Sequence, residues 1–175
     1  MQTIILPGYF VGNRKWAKEV KNNLNLPQVV LLHEWRHWTQ GDLSINYEVE
    51  VILEEITGKR TNIIAKSVGT EITMHIIPMA MDWIGKVILC GIPTPGTKEG
   101  VRNLFQKGLS LLKPDKMICF QNTGDPFASY KQIKAFLGEI APKIQVIEKP
   151  RSDHDYPYYE DFRSFLTARN VEGLI

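Results

Sequence analysis

Two sets of residues in this chain have the types and spacing to do chemistry: Ser67, Asp125 and His154 in one, His33, Glu34 and His37 in the other. A neutral serine hydroxyl is a poor nucleophile until a base takes its proton. Histidine is the side chain suited to that task near neutral pH, and a buried carboxylate holds its ring in the accepting tautomer. The second set reads His-Glu-x-x-His within "LLHEWRHW", residues 31–38. On a helix that order stacks two imidazoles one turn apart, where they bind zinc while the glutamate acts as base in peptide hydrolysis. One set implies a metal-free reaction and the other a metal-dependent one. The elements that carry them decide which set can converge.

Those elements alternate. Short apolar runs at "TIILP" (3–7), "QVVLL" (28–32), "NIIAK" (62–66), "KVILC" (86–90), "KMICF" (116–120) and "KIQVIE" (143–148) read as strands covered on both faces. Between them lie stretches of helical length. In 43–57, Ile45, Val49, Ile52, Leu53 and Ile56 form one apolar stripe opposed by Glu50 and Glu54. In 98–112, Val101, Leu104, Phe105, Leu109 and Leu112 share a face, with Gly108 a weak point in that helix. Pro126 and Pro157 each stand where the first turn of a helix would begin. Strand and helix in alternation predict an α/β fold: about six mostly parallel strands in one sheet, helices on both faces, three layers in all. In such a sheet, ligands and catalytic groups gather beyond the carboxyl ends of the strands.

Each member of the first set falls there. "IIAKSVGTE" gives Ala65-x-Ser67-x-Gly69 after the third strand, a nucleophile elbow with alanine in place of the first glycine. The positions beside the serine must be small, because helix and neighbouring strand press on them. Helix capping by Ser67 explains the same stretch. "QNTGDPF" places Asp125 after the fifth strand and "KPRSDHDYP" places His154 after the sixth. Asp125 followed by Pro126 also reads as a helix cap, and it could cap and orient a histidine together only if its two oxygens divide the work. Asp153 and Asp155, flanking His154, are alternative acids. Serine, acid and histidine in this order past successive strands is the order of the α/β-hydrolase triad. An oxyanion would need two donors: the Val68 amide after the nucleophile, and one from "LPGYFVG", where Pro7 cannot donate, Tyr9 is the first candidate and Phe10 the second.

With "LPGYF", "AKSVG", "GDP" and "SDHDYP" in that order over nearly its whole length, the chain resembles the minimal α/β-hydrolases. It is close in size to the retinoblastoma-binding-protein-9-like serine hydrolases and similar also to dienelactone-hydrolase-like proteins. The resemblance implies a three-layer α/β-hydrolase fold and a catalytic triad of Ser67, Asp125 and His154. The activity it implies is that of an esterase- or thioesterase-like serine hydrolase acting on a small-molecule acyl substrate without a cofactor or metal. Two departures are Ala65 for the commoner glycine and "LPGY" for the common His-Gly pair. The segment "GIPTPGTKEG" (91–100) is too short for a cap domain, so an open, shallow site is expected. Tyr9, Phe10, Phe127 and Tyr156 are the aromatics that would shape an acyl pocket there or else pack in the core.

The same topology bears on the second set. "QVVLL" fits the second strand, which puts His33 and His37 on a strand end and the loop after it, where their rings need not converge. A helix from Pro27 to Gly41 would restore the zinc reading, with Glu54 or Glu55 as third ligand. Trp35 and Trp38 would border the substrate site or simply pack, and His75 is expected to pack in the helix after Ser67. "TGKRT" lacks the upstream glycine of a phosphate-binding loop and has Arg60 where Ser or Thr belongs.

Composition sets outer bounds. The chain has 175 residues, 43% hydrophobic and 23% charged, which suits one globular domain spanning 1–175. A net charge of +2 with scattered Lys and Arg argues against nucleic acid as partner. No apolar run is long enough for a membrane span and "MQTIILPGYF" lacks a secretory pattern. Cys90 and Cys119 read as buried reduced thiols, so a cytoplasmic protein is expected. A non-catalytic interaction module on the same fold is the competing class, because fold does not fix function.

Overall fold

Six short apolar runs become six strands because each offers apolar side chains to both faces at period two. The computed structural model describes residues 1–93 and 99–168. The strands are β1 (Gln2–Leu6), β2 (Val29–Leu32), β3 (Thr61–Lys66), β4 (Ile84–Cys90), β5 (Met117–Asn122) and β6 (Gln145–Lys149). Among the described residues, six α-helices separate or follow them: α1 (Asn13–Asn23), α2 (Ile45–Ile56), α3 (Val68–Ala80), α4 (Glu99–Ser110), α5 (Tyr130–Ile140) and α6 (Tyr159–Thr167). The strands form one sheet in the order β2-β1-β3-β4-β5-β6, and all five pairings are parallel.

Alternation along the strands sorts the core into two layers. Ile4, Leu6, Ile63, Ala65, Val87, Leu89 and Cys119 face one side, where Ile52, Ile56, Ile72, Ile76, Phe105 and Ile133 of α2, α3, α4 and α5 cover them. Ile5, Ile64, Ile88, Cys90, Ile118 and Phe120 face the other, beneath Trp16, Ala17 and Val20 of α1 and Phe162 and Leu166 of α6. Each fully buried branched side chain stabilises by roughly 1.5–3 kcal/mol. A one-residue slip of any central strand would exchange the two sets.

The strand order reverses direction at β1. The chain leaves β1 toward the edge through α1 and β2, then returns past it to β3 and runs on to β6. The loop after β1 therefore turns to the α1 face while the loop after β3 turns to the α3 face. Between these diverging loops, at the carboxyl ends of β1 and β3, lies the crevice where sheets of this type bind ligands. Tyr9 and Ser67 flank it.

Two local expectations differ from what is observed. Pro126 does not open α5. That helix begins at Tyr130, where the Ser129 hydroxyl accepts from the Gln132 amide and the Gln132 side chain accepts from the Ser129 amide, a complete capping box. Pro157 likewise precedes α6 without entering it. Gly108 does not stop α4, which runs on to Ser110, two residues short of the expected stretch; it lets α4 cross α3 closely, since a Cβ there would come 2.9 Å from the Met74 sulfur. The segment expected to be too short for a cap falls partly on 94–98, outside the described residues; residues 91–98 are all that join β4 to α4. Among the described residues, no helix is long and apolar enough to cross a membrane. Because the capping box sets the start of α5, Ser129→Ala should lower the unfolding free energy by about 1 kcal/mol in urea titration. Pro126→Ala should leave it within about 0.5 kcal/mol.

Candidate active site

The turn from β3 into α3 is built under steric pressure. Ser67 has φ 54° and ψ −124°, a left-handed backbone that a side chain adopts only when its surroundings hold it there. Its amide donates to the Cys90 carbonyl at 3.0 Å, and its own carbonyl accepts from the Thr70 amide at 2.8 Å and the Thr70 hydroxyl at 2.6 Å. Two residues on, a Cβ on Gly69 would lie 2.4 Å from the Leu6 carbonyl oxygen, so only glycine lets α3 start over β1. The Ser67 side chain does not cap α3. Of the two readings open at this position, the strained turn is the one observed.

Asp125 follows β5 in a turn and is almost fully buried. Its oxygens divide the work: Oδ1 accepts from the Phe127 amide at 2.9 Å, and Oδ2 accepts from His154 Nδ1 at 2.6 Å and from the Tyr156 hydroxyl at 2.5 Å. Burial alone would raise its pKa, but the hydrogen bonds from His154 and Tyr156 outweigh it and hold the carboxyl below the usual range. An ionised carboxylate only accepts, so Nδ1 of His154 carries the proton and Nε2 has the free lone pair. That Nε2 is buried and makes no hydrogen bond among the described residues.

Asn122, at the end of β5, fastens the histidine loop. Its amide nitrogen donates to the Asp153 and Asp155 carbonyls, each at 2.8 Å, one on either side of His154. The Tyr158 hydroxyl holds the Asn122 oxygen at 2.5 Å. On the near side of the ring, Gly91 has φ 58° and a Cβ there would meet His154 Cε1 at 2.8 Å. Gly91 directly follows Cys90, whose carbonyl binds the Ser67 amide, so serine and histidine border the same end of β4. The flanking acids are engaged elsewhere: Asp153 pairs with Arg151 at 2.5 Å and Asp155 lies 3.9 Å from Lys66 Nζ. Lys66 is itself buried, bonded to Asn13 at 2.8 Å and set 5.1 Å from the Trp16 ring centre. Burial pulls its ammonium below the usual lysine range, and Asp155 opposes that pull.

The oxyanion candidates sit on the two sides of the crevice. Val68 opens α3, and neither its amide nor that of Tyr9 makes a hydrogen bond among the described residues. Carbonyls of the Pro7–Tyr9 loop are held from the outer side: Trp35 Nε1 donates to the Pro7 and Gly8 carbonyls, both at 3.1 Å, and Trp38 Nε1 and His37 Nε2 reach the Tyr9 carbonyl, each at 2.7 Å. In a trans peptide C=O and N–H point in opposite directions. The Tyr9 and Phe10 amides are therefore turned away from the tryptophan layer.

The His-Glu-x-x-His run is not a helix. His33 follows β2 directly, and Arg36–Trp38 form a single 3-10 turn. His33 Nε2 is bonded to the buried Glu48 at 2.7 Å, Glu34 pairs with Arg14 at 3.1 Å, and His37 binds the Tyr9 carbonyl. The two imidazoles do not converge. Among the described residues, no group of three or more His, Cys, Asp or Glu side chains is arranged to hold a metal ion. Of the aromatics expected near the site, Phe127 lies against His154 with ring centres 4.5 Å apart, Tyr9 and Phe10 are exposed, and Tyr156 is wholly core. Pattern alone does not single out Asn122, and it offers Trp35 and Tyr156 only as aromatics near the site. "QN" at a strand end and "DYP" just past the histidine are the signals available for their polar roles.

No protein-family model and no curated protein sequence matches the chain. Solved structures do. A serine hydrolase without a lid from Xanthomonas campestris superposes with a TM-score of 0.68 at 12% identity, covering 97% of this chain and 84% of that one. An α/β hydrolase from a Medee basin deep-sea metagenome gives 0.72 at 13%, covering 99% and 92%. An α/β serine hydrolase homologue from Coxiella burnetii gives 0.68 at 17%, covering 95% and 83%. Sheet order, parallel pairing and the elbow after β3 define the α/β-hydrolase fold, and this chain has it.

The depressed Asp125 pKa has a consequence for stability. A carboxyl whose folded value lies below its ordinary 3.8 stabilises the fold fully above that value and loses the contribution as pH falls through the folded one. The unfolding free-energy difference between wild type and Asp125→Asn should therefore be constant near pH 5 and shrink from about pH 4 downward. Urea titrations of both proteins across that range check it.

Proposed function

We propose that this chain is a serine hydrolase acting on an ester, thioester or small amide of a soluble acyl compound. The observation that carries the reading is the His154–Asp125 pair: Nδ1 is bound to a buried carboxylate while Nε2 is buried with its lone pair unused, beside a serine held at positive φ. In this mechanism Nε2 takes the Ser67 proton as Oγ attacks the carbonyl carbon. Asp125 keeps the ring in the tautomer that can accept and stabilises the imidazolium. The Val68 and Tyr9 amides receive the charge that develops on the carbonyl oxygen, the first aided by the start of α3. Protonated His154 passes its proton to the leaving group, and water activated by the same nitrogen then frees the acyl group from Ser67. Every proton transfer in this scheme runs through His154 Nε2. The likeness to one lid-less serine hydrolase supports an open site, and in size and motif order the chain resembles the retinoblastoma-binding-protein-9-like and dienelactone-hydrolase-like proteins.

A non-catalytic module on the same fold has one observation in its favour: the Ser67 hydroxyl makes no hydrogen bond to His154 among the described residues. Catalytic hydrogen bonds in ligand-free sites are often long and tighten only around substrate. Labelling by a fluorophosphonate distinguishes the two. Wild type should label strongly with or without EDTA, while Ser67→Ala should not label and His154→Ala should be slower by about 10³-fold or more. Absence of labelling in folded wild type would favour the binding module, and loss of labelling in EDTA would overturn the metal-free mechanism.

A further inference from the structure

Tyr156 has a place in this site that the triad alone does not require, and its role there rests on the proposed triad. The residue is wholly buried. Its ring lies against Gly91, where a Cβ would come within 2.6 Å, and its backbone carbonyl accepts from Trp16 Nε1 at 3.0 Å. Its hydroxyl accepts from the Asn122 backbone N–H at 3.3 Å and donates to Asp125 Oδ2 at 2.5 Å. That oxygen is the one that accepts from His154 Nδ1. The phenol is thus fixed from several sides, with its proton aimed at the carboxylate oxygen that orients the base.

We propose that Tyr156 is a positioning residue of the active site: its hydroxyl shares Asp125 Oδ2 with His154, fixes the carboxylate plane and tempers its basicity, and so sets the proton affinity of the imidazole. A carboxylate oxygen that carries two donors holds each less tightly than one that carries a single donor. With Tyr156 in place the imidazolium is stabilised enough to form, yet it returns its proton to the leaving group. Burial and the neighbouring Asp125 charge push the phenol's pKa up, so it remains a donor throughout the working range. The Phe127 amide on Oδ1 completes the fixation from the other oxygen.

Other charged groups around the pair stay in place when the hydroxyl is removed. They are Lys66 on β3, and Arg151, Asp153 and Asp155 on the histidine's own loop; the un-ionised Cys90 thiol lies on β4. Tyr156→Phe keeps the ring and deletes only the donor. In a Ser67→Ala background, the His154 titration followed by NMR of its ring should move up by about half a unit or more in Tyr156→Phe. With Ser67 present, the acid limb of the pH profile for fluorophosphonate labelling should move up with it, because neutral imidazole is the active form. Replacing tyrosine by fluorotyrosine, which packs alike and donates more strongly, should move the titration down, so the test survives a Phe variant that fails to fold. A His154 titration unmoved by either change, or labelling lowered equally at every pH, overturns the proposal. The titration is read without turnover, so its outcome is separate from whether Ser67 labels at all.

Discussion

The close approach of α3 to β1 is the constraint on which the rest of the site depends. With the Leu6 carbonyl 2.4 Å from where a Gly69 Cβ would stand, the helix can start only if the chain turns sharply at the residue before it. That turn forces Ser67 to positive φ and lifts its side chain out of the helix, so it cannot cap. The first amide of α3 has no intrahelical partner, as at any helix start. The strain, of order 1–3 kcal/mol, is borne by the buried strands on either side. Ala65 suffices in place of glycine because that position lies within β3, among side chains of the sheet face, and needs to be small but not left-handed.

Strand order along the chain, strand positions and the post-strand placement of Ser67, Asp125 and His154 were legible because each rests on short-range pattern: apolar runs, a small-x-Ser-x-Gly turn, acids and histidine in post-strand turns. The strands fall within two residues of where the runs place them at each end. Contacts between segments far apart in sequence were not legible. Pro126 suggested a helix start by local rule, yet the capping box of Ser129 and Gln132 gave the helix a better one four residues on. That displacement leaves Asp125 no helix to cap, and its Oδ1 accepts from the Phe127 amide within a turn instead. The roles of Asn122 and Tyr156 depend on β5 and β6 lying side by side, and nothing in either stretch alone announces it.

The same distinction explains "LLHEWRHW". Read as spacing, its histidines imitate a metal site; read in the fold, its members serve as a brace. Trp35, His37 and Trp38 bind three successive backbone carbonyls of the loop after β1, and His33 anchors to Glu48 on α2, which also accepts the Arg36 amide. Spacing measures separation along the chain, whereas ligation needs convergence in space, and a strand end followed by a 3-10 turn does not provide it.

The distribution of tryptophans gives the molecule an optical asymmetry. Trp35 and Trp38 hold the loop after β1, Trp16 binds the Tyr156 carbonyl and lies beneath the Lys66 ammonium, and only Trp83 stands at the opposite end of the sheet, just before β4. Three of four indoles therefore report on the end of the sheet where Ser67 lies. Ultraviolet emission from the unlabelled protein is weighted toward that end, so a molecule settling in the crevice alters the signal while Trp83 supplies a nearly constant background.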